Sequence, residues 1–129
     1  IGKCIKKIHE LGFLAIVITN QSAVNRGLTT NENINLIHKE IQQNLKKFGT
    51  KIDAFYYCPH TPKEFCSCRK PKTGLFDKAI SDWNIDISLS WFIGDSQSDI
   101  EAGNLIGTKN ILITKETNLE NCIYEIISK

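Results

Sequence analysis

Residues Phe13–Gly27 read FLAIVITNQSAVNRG: six apolar residues without a polar break, then a polar loop. Such a run, Phe13 to Ile18, marks a strand buried on both faces, as in a parallel sheet. Before it, Ile5, Ile8 and Leu11 recur at helical spacing and Gly12 stops the helix. After the loop, Thr29 or Thr30 is placed to cap a second helix. It carries Glu32 in its first turn and the stripe Ile34, Ile37, Ile41, Leu45 and Phe48, and is closed by Gly49.

The alternation continues to the end of the chain. A strand over Ala54 to Tyr57 leads into a loop that holds all three prolines, Pro59, Pro62 and Pro71. A helix over Gly74 to Trp83 and a strand over Trp91 to Ile93 follow, with Trp83 expected as a packing residue and His9, in the first helical pattern, expected at the surface. GDSQSD then opens a helix through Ala102 to Leu105, stopped by Gly107. Asn110 to Ile113 form a strand and Leu119 to Ile127 a closing helix. Repeated strand–helix alternation predicts an α/β fold with a mostly parallel sheet and helices on both faces. No repeat, low-complexity tract or linker interrupts it, so residues 1–129 are expected to form one domain. Ligands of such sheets bind at the carboxyl ends of the strands. The loops at Thr19–Gly27, after Tyr57, and at Gly94–Asp99 all belong to that edge.

Bulk properties narrow the function classes. The 129 residues are 41% hydrophobic and 23% charged, ordinary for a globular domain. A net charge of +2, without a long Lys/Arg block, argues against a nucleic-acid partner. No apolar run approaches the roughly 20 residues that span a bilayer, so no membrane partner is expected. The chain has no methionine, and residue 1 already lies inside an amphipathic pattern; we therefore expect a fragment whose first element is missing. Of five cysteines, Cys4 and Cys122 stand alone in helical patterns, while Cys58, Cys66 and Cys68 crowd beside His60. That distribution suits a metal site and reduced thiols in a reducing, cytoplasmic setting.

CPHTPKEFCSCRKP, residues 58–71, offers four soft ligands: Cys58, His60, Cys66 and Cys68. Residues two apart on extended backbone project to one side, so each Cys-x-His or Cys-x-Cys pair can reach one ion. Thiolates with one imidazole fit a closed tetrahedral zinc site. A metal-free loop, or a Cys66–Cys68 redox pair, is the alternative. Arg69 and Lys70 follow the last ligand directly, so a rigid loop would aim two cations at the ligand edge; otherwise they are a solvated surface pair. Thr19, with Asn20 and Gln21 after it, can offer a hydroxyl and backbone N–H groups to an anion, although Thr there is often only a turn residue. Asp95 can bind a hard divalent cation, or can serve as a helix N-cap. Asp99 can face the same way or answer the helix dipole. A hydroxyl, a cation pair and a strand-end carboxylate on one edge suit phosphoryl transfer.

TNQ after an apolar strand, RKP before a helix and GDSQSD after a later strand resemble, in order, the second, third and fourth motifs of the haloacid dehalogenase (HAD) superfamily phosphatases. VITNQSAVNRG, CPH-x5-C-x-CRKPKTG and FIGDSQSDIEAG are similar to the D-glycero-D-manno-heptose 1,7-bisphosphate phosphatases, a family related to the histidinol-phosphate phosphatases. The similarity covers nearly the whole chain, and the zinc loop joined to RKP is specific to these two families. Arg26 in NQSAVNRG resembles the heptose enzymes more than the histidinol ones. The family's first motif, Asp-x-Asp-x-Thr, has no match in the sequence. Ser96 stands where Lys is common.

The resemblance implies a three-layer Rossmann-like HAD fold with the first strand missing and a zinc loop inserted. It implies hydrolysis of the 7-phosphate of a heptose bisphosphate through an aspartyl-phosphate, with place in lipopolysaccharide heptose biosynthesis. Mg²⁺ would be held by Asp95 and by aspartates outside this chain. Thr19, Lys70 and Asp95 would be the catalytic residues. Thr19, Asn20, Gln21, Ser22, Arg26, Arg69, Lys70 and Ser96 would contact substrate. Cys58, His60, Cys66 and Cys68 would hold Zn²⁺. Asp99 would hold Lys70 or the magnesium loop in place. The expected partner is a small phosphorylated sugar, with a monomer favoured and the isolated 129 residues inactive. Histidinol phosphate as substrate, and a non-catalytic zinc-stabilised binding module, are the competing expectations.

Overall fold

A computed structural model describes residues 2–20, 24–60, 66, 70, 72–114 and 118–127. The chain divides into two compact units, residues 1–66 and 67–129.

The first unit runs α1 (Gly2–Glu10), β1 (Ile16–Asn20), α2 (Asn31–Lys46) and β2 (Ala54–Cys58). Strands β1 and β2 are parallel, in register from Ile16↔Ala54 to Asn20↔Cys58. Helix α1 ends where Gly12 takes a positive φ of 90°, a backbone state that costs glycine nothing. Thr30 caps α2 by accepting the Asn33 N–H at 3.1 Å. Ile5, Ala15, Leu45 and Ile52 form the core, with Ile8, Val17 and Phe55 packed against it. The ring of His38 stacks on Phe55, centroids 4.1 Å apart, and burial lowers its pKa.

The second unit runs α3 (Gly74–Trp83), a 3₁₀ turn (Ile87–Leu89), β3 (Trp91–Gly94), α4 (Gln97–Ile106), β4 (Lys109–Leu112) and α5 (Leu119–Ile127). Strands β3 and β4 are also parallel, from Trp91↔Lys109 to Gly94↔Leu112. Leu75, Phe76, Ala79, Ala102, Ile111, Cys122 and Ile123 are buried, and Phe76 meets Phe92 edge-on at 4.9 Å. Asn84 at φ 51° and Gly107 at φ 88° end α3 and α4 in the left-handed conformation. The parallel pairing and the strand–helix order give the α/β class that the sequence predicts.

Several local expectations are corrected. Strand β1 begins at Ile16 rather than Phe13 and extends through Thr19 and Asn20, because its ladder partner begins only at Ala54. Its residues are partly rather than wholly buried. Along α2 only Ile34 and Leu45 of the expected stripe are buried; Ile37, Ile41 and Phe48 are exposed. Trp83, expected in the packing, is 39% exposed. Strand β4 begins and ends one residue earlier than expected. His9, expected on the surface, joins Thr50 and Asp53 through its two ring nitrogens, each at 2.7 Å.

Candidate active site

The first unit brings two loops together at the carboxyl end of its parallel strands. Asn20 and Cys58 are paired in the ladder, so the loops that follow them leave from adjacent points. The turn at Val24–Gly27, which carries Arg26, is tied to the second loop by the Asn25 N–H donating to the Pro59 carbonyl at 3.4 Å. Thr19 sits one residue before the end of β1, and its hydroxyl makes a long 3.5 Å contact to the Asn20 carbonyl. Gln21 and Ser22 lie outside the described residues.

Cys58, the last residue of β2, is fully buried. Its Sγ lies 3.4 Å from His60 Nδ1 and 3.4 Å from Cys66 Sγ. The donor atoms of Cys58, His60 and Cys66 all lie within 4.8 Å of one another. Around tetrahedral zinc two thiolate sulfurs stand about 3.8 Å apart, and sulfur and imidazole nitrogen about 3.6 Å apart. The cluster is thus close to the spacing that a four-coordinate ion requires, and 3.4 Å is far beyond a sulfur–sulfur bond. Cys68, the expected fourth ligand, lies outside the described residues, as does Arg69.

The second unit builds a different kind of centre at the end of β3. Ser96, not Asp95, caps α4: its hydroxyl accepts the Asp99 N–H at 3.3 Å, while Asp99 Oδ2 accepts the N–H groups of Ser96 at 3.3 Å and Asp95 at 3.1 Å. The Asp95 carboxylate is therefore not spent on the helix end. It is exposed and accepts no hydrogen bond among the described residues. A hard oxygen donor left uncommitted at a strand end suits a magnesium ion. The other oxygen of Asp99 accepts from the Lys70 ammonium. Lys70 is 11% and Asp99 5% exposed at the side chain, so the pair is held largely out of water. Burial by itself pushes the Asp99 carboxyl up; Lys70, the Ser96 hydroxyl and the Asp95 N–H outweigh that and hold it below the ordinary carboxylate value. Ser98, which sequence reasoning did not single out, places its hydroxyl 3.0 Å from that of Ser96. The repeated serine in the segment D-S-Q-S-D was the signal for it.

Residues 67–122 match the HAD-like hydrolase family model. The chain is 36% identical over 121 residues to the D-glycero-beta-D-manno-heptose-1,7-bisphosphate 7-phosphatase of Helicobacter pylori, covering 93% of this chain and 70% of that protein. It is 34% identical over 122 residues to the enzyme of that name from Haemophilus ducreyi, covering 89% and 67%. The chain belongs to the heptose-bisphosphate phosphatase family of HAD-like hydrolases. A crystal structure of D,D-heptose 1,7-bisphosphate phosphatase from B. bronchiseptica, complexed with magnesium and phosphate, superposes with a TM-score of 0.81 at 30% identity. That match covers 86% of this chain and 62% of the other. This member of the heptose-bisphosphate phosphatase family thus spans about two thirds of the length of its relatives.

Proposed function

We propose that this chain supplies the phosphate-gripping and metal-binding residues of a phosphatase acting on the 7-phosphate of D-glycero-D-manno-heptose 1,7-bisphosphate. One observation carries the reading. A single buried carboxylate, Asp99, holds the Lys70 cation and also fixes the backbone of the loop that presents Asp95. Such an arrangement preorganises a cation and a metal ligand for a developing phosphoryl charge.

In this reading Thr19 donates its hydroxyl and Lys70 its ammonium to the transferring group. Arg26 and Arg69 recognise the rest of the sugar phosphate, with Asn20, Gln21, Ser22 and Ser96 lining the pocket. Asp95 offers an oxygen to Mg²⁺, which when bound neutralises charge on phosphoryl oxygens. Cys58, His60, Cys66 and Cys68 hold a structural zinc ion that fixes the loop leading to Arg69 and Lys70. The two compact units serve as one catalytic domain, working as a monomer in the reducing cytoplasm. The 129 residues contain no Asp-x-Asp pair, so the covalent step is assigned to no residue of this chain. By themselves they are expected to release no phosphate.

Phosphate release tests the reading directly. The chain is joined behind the Asp-x-Asp-x-Thr strand of a relative, its folding is checked by circular dichroism, and it is offered heptose 1,7-bisphosphate or histidinol phosphate with Mg²⁺. Magnesium-dependent loss of the 7-phosphate, faster than loss from histidinol phosphate, is expected. A folded protein that hydrolyses neither ester overturns the assignment.

A further inference from the structure

Cys58 and Cys66 are unequal partners. Cys58 is fully buried and held by the β1–β2 ladder, whereas Cys66 is partly exposed. Their sulfurs are 3.4 Å apart, in contact but not bonded. An oxidant therefore reaches one sulfur first and finds the second already beside it. This exposed-then-resolving order is the arrangement from which a thiol is oxidised to a disulfide rather than to higher acids.

We propose that Cys66 and Cys58 form a two-thiol oxidation site whose co-reactant is hydrogen peroxide. The Cys66 sulfur attacks the peroxide, forming an S–O bond and breaking the O–O bond; the leaving hydroxide takes a proton and departs as water. The Cys58 sulfur then attacks Cys66. The S–S bond forms, the S–O bond breaks, and the Cys58 proton leaves with the oxygen as a second water. Two thiols lose two electrons and two hydrogens, and the peroxide is reduced to two waters. Zinc ligation occupies the same two sulfurs, so the metal-bound and disulfide states exclude each other. That protection rests on the metal reading above; oxidation of the metal-free pair does not.

The test uses the full chain, reduced and stripped of metal or loaded with zinc, each treated with hydrogen peroxide. Intact mass, free-thiol titration and tryptic mapping are read out, with circular dichroism as the folding check. Trypsin cleaves after Lys63, which places Cys58 and Cys66 on different peptides. The expected result for metal-free protein is the loss of two hydrogens and two free thiols, with those peptides cross-linked. The cross-link should persist in the Cys68→Ser variant, which excludes Cys68 as the partner, and zinc should prevent it. Cross-linking in a protein that takes up no zinc would support the oxidation site and overturn the metal reading alone. Folded, metal-free protein in which Cys66 proceeds to sulfinic acid without a cross-link, or whose cross-link vanishes in Cys68→Ser, would overturn the proposal.

Discussion

The Lys70 ammonium donates to one oxygen of Asp99 while the other oxygen accepts the backbone N–H groups of Asp95 and Ser96. The two residues are not equivalent within this pair. Removing Asp99 takes away the carboxylate that holds the Lys70 cation and leaves two backbone N–H donors without that acceptor, whereas removing Lys70 leaves the carboxylate with its backbone donors. Asp99→Ala should cost about 3–5 kcal/mol, the scale for breaking a buried pair, and Lys70→Met distinctly less. Urea unfolding of both variants measures the difference, and equal losses would contradict the asymmetry.

Asp95 offers the converse case. Its exposed carboxylate accepts no hydrogen bond among the described residues, so Asp95→Asn should leave the unfolding free energy within about 0.5 kcal/mol. The same change should abolish Mg²⁺-dependent phosphate release by the protein carrying the Asp-x-Asp strand. Ser96→Ala should instead destabilise by about 1 kcal/mol, because the Asp99 N–H at the start of α4 loses its cap. A stability loss at Asp95 matching that at Ser96 would return the capping role to Asp95.

Acid stability should depend on Asp53. Burial raises its carboxyl, but the Ala15 N–H, the bond to and charge of His9, and Lys51 bring the net shift below the ordinary value. A depressed folded-state value means that the unfolded chain binds the proton more tightly. The stabilisation is then fully present above the unfolded carboxyl pKa of about 4 and is lost as pH falls through the lower folded value. Urea midpoints between neutral and acid pH should therefore fall less steeply in Asp53→Asn than in the parent. Parallel curves would show that the group contributes nothing to acid unfolding.

Metal removal should be visible without any substrate. Elemental analysis after dialysis is expected to find about one zinc per chain, and none in Cys66→Ser. Chelation should lower the melting temperature, and added zinc should restore it in proportion to the logarithm of its free concentration. A melting temperature indifferent to chelator would remove the metal from the stability of the loop.

Much of this was legible in the sequence, and the failures have physical reasons. Helices α3 and α5 fall where their apolar spacing puts them, since a helix closes its hydrogen bonds within its own segment. Strands depend on partners. The run from Phe13 is apolar enough for strand, yet pairing starts at Ile16 because β2 starts at Ala54. The exposure of Ile37 and Ile41 on α2 is likewise set by what packs there, which no periodicity reveals. Asp95 and Ser96 are both good capping residues, and only the folded backbone at the start of α4 decides between neighbours. His9 looked like a surface residue because Thr50 and Asp53, which hold it, lie over 40 residues away in the chain. The clustering of Cys58, His60 and Cys66, by contrast, was visible in advance, because closely spaced ligands need little tertiary information to meet.

The register that sets Asn20 opposite Cys58 has an evolutionary corollary. Two loops launched from one rung of a ladder inherit a common origin, so lineages can exchange, lengthen or recolour the tips without re-engineering the base. Drift in substrate preference among such enzymes should then accumulate beyond these two residues, while the rung itself stays as the hinge-pin of the design.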